Sequence, residues 1–417
     1  MSGILIKHAS ELVTCNGTAP KHGSGMSDIG IIPDGAVLIR DHEIVLTGPT
    51  ESVLRQADES ACEVIDASGK TVLPGFVDSH THFIFGGYRA DEFSWRLKGD
   101  TYMSIMERGG GINATVVPTR AASQAELEDV GRERLNRMLE FGVTTVEGKS
   151  GYGMDRDCEL KMLRAMKVLD ETHPVDVVPT FMGPHSVLPE WKGKERAYID
   201  FILNDVLPDV KKEQLAEFVD IFTEKGVFDA DDTAYYLSNA KKAGFKLKVH
   251  ADEMFAIGGT ETAVRAGVHS ADHLLKVTDE GIRLLAESNT IATLLPCTAF
   301  CLKEPFAPAR KLIDAGCAVA LASDFNPGSC FTNSIPLIVA LGCIHMNMSI
   351  EEVITALTIN GAAAVGRADK IGSIEAGKQA DIVILKHPSI NYMPYHTAIN
   401  PVERVIKNGK IVYTKTW

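Results

Sequence analysis

In the middle of this chain, apparent helices end at a glycine and a strand begins at once, four times over. The four junctions contain Gly142, Gly244, Gly267 and Gly316. Glycine readily adopts the left-handed conformation that ends a helix. Helices that lead directly into strands are typical of parallel sheets whose crossover connections are helical. The pattern therefore predicts an α/β fold.

Eight candidate strands alternate with helical patterns across residues 74–365. The strands are Phe76–His80, Val143–Glu147, Val175–Pro179, Val219–Thr223, Phe245–Ala251, Ser270–His273, Thr290–Leu295 and Ala318–Ser323. The helical patterns include Gln124–Glu140, Cys158–Glu171 and Ala230–Ala243. This alternation predicts a (β/α)₈ TIM-type barrel, which usually takes ~250 residues. A doubly wound open sheet is the alternative, but no Gly-x-Gly-x-x-Gly follows an early strand.

Both ends of the chain have β patterns. The candidate strands are Ala36–Ile39, Glu43–Leu46, Ala380–Leu385, Glu403–Lys407 and Lys410–Tyr413. The last two flank Asn408-Gly409, the strongest short-range hairpin signal. Neither end is long enough for its own core, so we expect one small β-sandwich domain built from both termini. The predicted domains are residues 1–73 and 366–417 for the sandwich and 74–365 for a catalytic barrel.

Composition limits the partners and the cellular compartment that we expect for this protein. The formal net charge is −13, which argues against nucleic acid as a partner because phosphate binding needs clustered Lys and Arg. The eight cysteines form no Cys-x-x-Cys pair, so we expect reduced, buried thiols in a cytoplasmic protein. The start of the chain has no signal-peptide pattern, and no apolar run approaches the ~20 residues of a membrane helix.

The chemistry starts at Val77-Asp78-Ser79-His80-Thr81-His82. Residues two apart on a strand share a face, so His80 and His82 point the same way, at the end of the first barrel strand. Two imidazoles at this spacing can chelate one metal ion, although His-x-His alone is a weak signal.

Other strands also stop at a potential ligand or base. These residues are His250, His273 and Asp324. Each alone could be a hydrogen-bonded histidine or a turn aspartate, but together they mark one end of the barrel. Three imidazoles and a carboxylate suit Zn²⁺ or Fe²⁺, and such an ion lowers the pKa of a bound water to ~7.

Catalytic roles follow from this chemistry. We expect Asp324 to ligate the metal and accept a proton from water, and His273 to polarise a carbonyl. Glu253 is a candidate to carry a proton to the leaving nitrogen; the alternative is a carboxylate at a helix N-terminus. Lys149, near another strand end, is expected to face solvent or substrate. We therefore favour one metal ion over a pair bridged by a modified lysine.

The stretch Leu73–His82 resembles the opening of the amidohydrolase superfamily. Five further segments resemble one family of that superfamily, the imidazolonepropionases. They are the stretch from Phe83 to Ile112, Lys149–Gly153, His185, His250–Glu253 and Ser323–Ser329. The resemblance covers nearly the whole chain. It implies hydrolytic ring opening of 4-imidazolone-5-propanoate to N-formimidoyl-L-glutamate in histidine degradation, on a barrel joined to a sandwich.

The resemblance also implies site residues. The metal ligands would be His80, His82, His250 and Asp324, holding one Zn²⁺ or Fe ion per chain. The substrate contacts would be Arg89, Tyr102, Tyr152, His185, Glu253, Asn326, Gly328 and Ser329. A homodimer is implied as well. The loop 185–191 departs from the family pattern by lacking a second Pro and a Tyr, which concerns loop packing only.

Arg89 fits this substrate, because a guanidinium can bind the propionate carboxylate through two parallel hydrogen bonds. A surface ion pair with Asp91 or Glu92 is the alternative. Two rival functions stay open. A nucleobase deaminase could use the same His-x-His and His-x-x-Glu patterns, and a scaffold protein without activity would be expected to have lost ligands.

Overall fold

The computed structural model describes residues 3–100, 104–105, 108 and 110–416. Two sheets organise this part of the chain: a parallel barrel from the middle and a mixed sheet from the two ends. The predicted α/β fold with a (β/α)₈ barrel is confirmed. The domain limits 1–73, 74–365 and 366–417 stay a prediction. None of the described helices is long and apolar enough to cross a membrane.

The strands within the described residues are, in chain order, β1 Gly3–Val13, β2 Ile31–Arg40, β3 Glu43–Pro49, β4 Cys62–Asp66, β5 Thr71–Pro74, β6 Phe76–Asp78, β7 Val143–Lys149, β8 Asp176–Phe181, β9 Phe218–Val219, β10 Phe222–Thr223, β11 Lys246–Ala251, β12 Ser270–His273, β13 Ile291–Leu294, β14 Val319–Leu321, β15 Ile382–Leu385, β16 Val402–Lys407 and β17 Lys410–Thr414. The barrel runs β6-β7-β8-β9-β11-β12-β13-β14, and β10 pairs with β11 beyond β9. Thus β9 and β10 are two halves of the strand predicted over 219–223.

The helices described in full are α1 Thr50–Leu54, α2 Ala90–Leu97, α3 Asn113–Ala121, α4 Gln124–Glu140, α5 Arg156–Thr172, α6 Glu195–Phe201, α7 Leu207–Lys212, α8 Ala230–Lys242, α9 Gly259–Ala266, α10 Asp279–Ala286, α11 Pro296–Leu302, α12 Ala309–Asp314, α13 Ile335–Ile344, α14 Ile350–Leu357, α15 Ile359–Ala364 and α16 Tyr392–Tyr395. Capping residues and glycines determine where several of these helices begin and end. Ser123 and Glu126 form a capping box at the start of α4. The glycines that follow α4, α8, α9 and α12 all have positive φ, between 72° and 99°.

The terminal sheet has the order β17-β16-β15-β5-β1-β2-β3, with β4 also paired to β1. Strands from both chain ends meet where β15 pairs antiparallel to β5. The β16–β17 hairpin turns at Asn408-Gly409, where both residues have positive φ, as a type I′ turn requires. The prediction that both termini build one β module is therefore confirmed.

The barrel closes where its first strand meets its last. The Asp324 N–H donates to the His80 carbonyl at 3.0 Å, and the His82 N–H donates to the Phe325 carbonyl at 2.9 Å. Closure thus depends on backbone hydrogen bonds made by the predicted site residues themselves. It places the His-x-His pair of the first strand beside the aspartate that follows the eighth strand.

Candidate metal centre and active site

His80 is buried and held from one side only. Its Nδ1 lies 2.6 Å from Asp272 Oδ2, and because a carboxylate only accepts, Nδ1 carries the hydrogen. The lone pair is then on Nε2, which is buried and has no hydrogen-bond partner. A histidine whose Nδ1 is fixed by a carboxylate while Nε2 stays free has the arrangement of a metal ligand.

His250 repeats this arrangement from the opposite strand. Its Nδ1 lies 3.1 Å from Asp220 Oδ2, which leaves Nε2 to face His82 Nε2 at 3.4 Å. The imidazoles of His82 and His250 are buried, and His82 Nδ1 has no hydrogen-bond partner. Burial holds the pKa of His80, His82 and His250 well below the usual value. Neutral imidazoles are the form that binds metal.

Asp324 supplies the carboxylate. Its Oδ2 accepts from the Thr298 hydroxyl at 2.6 Å, and its Oδ1 lies 3.4 Å from His80 Nε2 and 3.7 Å from His82 Nε2. Burial raises the pKa of this carboxyl to about 7. Its φ of 50° is a left-handed conformation that aspartate tolerates better than most residues. This bend turns the side chain into the barrel mouth.

Part of this set has the spacing of ligands to one metal ion. Ligands bound tetrahedrally at ~2.1 Å lie ~3.4 Å from one another. His82 Nε2 lies 3.4 Å from His250 Nε2, and Asp324 Oδ1 lies 3.4 and 3.7 Å from the Nε2 atoms of His80 and His82. Ligand atoms of His80, His82 and Asp324 all fall within 4.8 Å of one another. The orphaned Nε2 of His80 is the clearest sign, since an unpaired buried polar atom is costly. His273 also lies within reach of the site, because ligand atoms of His80, His250 and His273 fall within 4.8 Å of one another.

Glu253 and His273 form a pair at the edge of the centre. His273 Nδ1 lies 3.7 Å from Glu253 Oε1, and the Glu253 side chain is 14% exposed. Burial, reinforced by the charge of Asp324, raises the pKa of Glu253 to about 8. The nearest following helix, α9, begins only at Gly259, and Asp252 bonds its first turn through Thr260. The helix N-terminal alternative for Glu253 therefore lacks support.

His185 and Tyr152 line the side next to His82. The His185 ring stacks on His82 with centroids 4.9 Å apart and an interplanar angle of 13°, and Tyr152 lies 5.1 Å from His185. His185 Nδ1 donates to the Gly151 carbonyl at 3.1 Å, which leaves its Nε2 lone pair available to a ligand. In the loop after His185, the Trp191 ring stacks on the Phe201 ring with centroids 5.8 Å apart. The loop is therefore packed against the protein although its sequence departs from the family pattern.

Arg89 is the N-cap residue that precedes α2, and its side chain faces the loop after Asp324. Its Nε donates to Glu92 Oε2 at 2.9 Å, and its Nη2 also bonds Glu92. Gly328 packs against Nη1, because a Cβ added at Gly328 would lie 2.2 Å from that atom. The ion-pair partner is thus Glu92, and Nη1 is the nitrogen of the guanidinium that lies against Gly328 in the loop after Asp324.

The Asn326 side chain organises its own loop. Its Oδ1 accepts from the Gly328 and Ser329 N–H groups at 2.8 Å, and its Nδ2 donates to the Asp324 carbonyl at 2.8 Å. The structure therefore brings Asn326, Gly328 and Ser329 together beside Arg89. The side-chain amide of Asn326 makes its hydrogen bonds within this loop. Tyr102 lies outside the described residues.

A buried layer of charged side chains lies next to His80 and His250, and the sequence reasoning missed it. We call it the charged layer; its members are Glu147, Lys149, Asp220, Lys248 and Asp272, all fully buried. The expectation that Lys149 faces solvent or substrate is wrong, because its Nζ contacts Glu147, Asp220 and Asp272. Strand alternation was the available signal, since Lys149 follows Glu147 by two residues and Lys248 precedes His250 by two.

Comparison with known proteins agrees with this geometry. The sequence profile of the amidohydrolase family matches residues 71–412. Imidazolonepropionase of Clostridium tetani is 55% identical over 99% of this chain and 99% of its own length. Imidazolonepropionase of Parabacteroides distasonis is 56% identical over 98% of this chain and 99% of its own length.

Solved structures show the same fold at low identity. A triazine hydrolase variant superposes with a TM-score of 0.75 at 16% identity, over 99% of this chain and 95% of that one. Guanine deaminase of E. coli superposes with a TM-score of 0.72 at 13% identity, over the whole of both chains. At such identities the likeness concerns the fold alone.

Proposed function

This chain belongs to the amidohydrolase family and, within it, to the imidazolonepropionases, and on that premise we propose which residues carry out the reaction. The enzyme hydrolyses the ring amide of 4-imidazolone-5-propanoate to N-formimidoyl-L-glutamate. The observation that carries the assignment is the convergence of His80, His82, His250 and Asp324 around an unpartnered His80 Nε2. These four side chains would hold the metal.

When bound, a divalent ion would lower the pKa of a water to ~7, so that a carboxylate can remove its proton near neutral pH. Asp324 accepts the proton of the attacking water, and Thr298 holds the other carboxylate oxygen still. Burial raises the pKa of Glu253 to about 8 in the metal-free protein, which suits this side chain to hold a proton and deliver it to the leaving ring nitrogen. His273, beside Glu253, polarises the carbonyl under attack.

The remaining residues bind and orient the substrate. Arg89 presents Nη1 to the propionate carboxylate while Glu92 holds Nε and Nη2. Tyr152 and His185 contact the ring from the side of His82. Gly328 and Ser329 approach through the loop that Asn326 organises. Tyr102 is proposed to contribute from the same side on the resemblance alone.

The metal is proposed to be one Zn²⁺ or Fe²⁺ ion per chain. The charged layer holds three carboxylates and two ammonium groups, which leaves one negative charge. Asp324 and the neighbouring Asp78 are further buried carboxyls, so a divalent cation offsets negative charge in this region. Imidazole-rich ligand sets favour zinc and iron over magnesium and calcium.

Two further proposals concern the whole protein. A homodimer is proposed from the family resemblance, and light scattering on the purified protein tests it. A cytoplasmic location is proposed because all eight cysteines are free thiols, as expected in a reducing compartment.

One experiment tests the function directly. Loss of the ultraviolet absorbance of imidazolonepropionate is followed with purified protein, and the metal content of the same sample is measured. We expect turnover together with about one zinc or iron per chain. Release of ammonia from a nucleobase, without turnover of imidazolonepropionate, would favour the deaminase instead. Absence of both metal and turnover would favour a scaffold role.

A further inference from the structure

Lys149 lies at the centre of the charged layer, without exposure to solvent. Its Nζ lies 2.6 Å from Asp220 Oδ2, 3.1 Å from Glu147 Oε1 and 3.4 Å from Asp272 Oδ2. Ligand atoms of His80, Glu147 and Asp272 fall within 4.8 Å of one another, an arrangement that could itself hold a cation. The ammonium group of Lys149 is the cation beside them.

The two aspartates that Lys149 contacts also hold two proposed metal ligands, through the same oxygen atoms. Asp272 Oδ2 accepts from His80 Nδ1 at 2.6 Å and lies 3.4 Å from Lys149 Nζ. Asp220 Oδ2 lies 3.1 Å from His250 Nδ1 and 2.6 Å from Lys149 Nζ. One ammonium group therefore fixes both oxygens that set the tautomer and orientation of His80 and His250.

We propose that Lys149 is a positioning residue that acts through Asp220 and Asp272 to aim the Nε2 atoms of His80 and His250 at the metal. The inference rests on the proposed function only in taking these histidines as metal ligands. Lys149 touches neither substrate nor metal in this role. Its effect is to hold two carboxylates that would otherwise repel each other in a dry interior.

Lys248 provides an internal comparison. It is equally buried, but its Nζ bonds Glu147 Oε2 at 2.6 Å and the Ser79 carbonyl at 3.0 Å. It makes no hydrogen bond to Asp220 or Asp272 within the described residues. If Lys149 served only to balance charge, the two lysines would be interchangeable.

A matched pair of double variants separates the two roles. E147Q/K149M and E147Q/K248M each remove one charge of either sign from the charged layer, so both keep its net charge. They differ only in which lysine remains. This design avoids the single variant K149M, in which three buried carboxylates would share one ammonium group and the chain could fail to fold.

The measurement is the metal dissociation constant, obtained by competition with a chromophoric chelator on purified, zinc-loaded enzyme. We expect E147Q/K149M to bind zinc 10–100-fold more weakly than wild type, the usual effect of losing a partner that orients a ligand. E147Q/K248M should stay close to wild type. The visible spectrum of the cobalt-substituted protein should change in the first variant and not in the second.

Three results would overturn the proposal. Equal zinc affinity in the two double variants would show that the lysines only balance charge. A wild-type cobalt spectrum in E147Q/K149M would show that the histidines keep their positions without Lys149. Failure of E147Q/K149M alone to fold would assign Lys149 to folding. Wild-type turnover of imidazolonepropionate, assayed in parallel, keeps these outcomes separate from a failure of the proposed function.

Discussion

Replacing Glu253 with glutamine should separate its chemistry from its effect on stability. The side chain is mostly buried beside His273 and near the charge of Asp324. Glutamine keeps its size and its hydrogen-bonding capacity but cannot deliver a proton. We expect Glu253→Gln to retain the metal and lose about 10²–10⁴ in kcat, the usual contribution of a positioned acid or base.

The stability effect follows from the raised pKa. In the unfolded chain Glu253 loses its proton near pH 4.5, whereas in the metal-free folded protein Glu253 keeps its proton up to about pH 8. The folded state binds more protons between these values, so the free energy of unfolding falls as the pH rises from 4.5 to 8. At about 1.4 kcal/mol per pH unit, wild type should lose roughly 2–3 kcal/mol between pH 6 and 8 from this group. Its 14% exposure makes this an upper bound.

Glutamine does not titrate and removes this dependence. In urea unfolding of the metal-free proteins, Glu253→Gln should therefore gain stability relative to wild type as the pH rises from 6 to 8. Glu287→Gln is the matched control, because Glu287 is 61% exposed, pairs with Arg283 at 2.7 Å and is not among the charges that raise the pKa of Glu253. That variant should keep kcat and the pH profile of wild type.

Near-wild-type kcat in metal-loaded Glu253→Gln would refute the role in proton transfer. A stability difference from wild type that stays constant between pH 6 and 8 would refute the raised pKa. The two results are independent, so either part of the reasoning can fail without the other.

Three other predictions concern metal and substrate. Elemental analysis of protein purified without chelator should find about one transition metal per chain, and two metals with a CO₂-modified Lys149 would contradict this. Arg89→Met should lower kcat/KM on imidazolonepropionate by about one to two decades, since a hydrogen bond to a charged group contributes ~1.5–3 kcal/mol. On an analogue without the carboxylate the loss should be much smaller, and an equal loss would mean that Arg89 serves only to pair with Glu92. Gly328→Ala should raise KM with metal content unchanged, because the new Cβ would lie 2.2 Å from Arg89 Nη1; an unchanged KM would show that Arg89 does not depend on this contact.

The features that could be predicted from the sequence are those that depend on neighbours along the chain. Alternation along a strand puts His80 and His82 on one face, and Asn408-Gly409 specifies a hairpin, whatever the rest of the molecule does. The glycines after α4, α8, α9 and α12 likewise mark helix ends through their own conformational freedom. For the same reason the ends of the barrel strands could be placed closely enough to pick out His250 and Asp324.

The contacts between side chains across the barrel depend on the folded ring of strands and could not be predicted from local patterns. Asp324 reaches His80 because the first and last strands close on each other, and that register is set by the whole ring of strands. Lys149 lies buried among carboxylates from three other positions, although a lysine at a strand end ordinarily reaches water. Its partners come from different strands, so no local pattern could reveal that its charge would be matched inside the barrel.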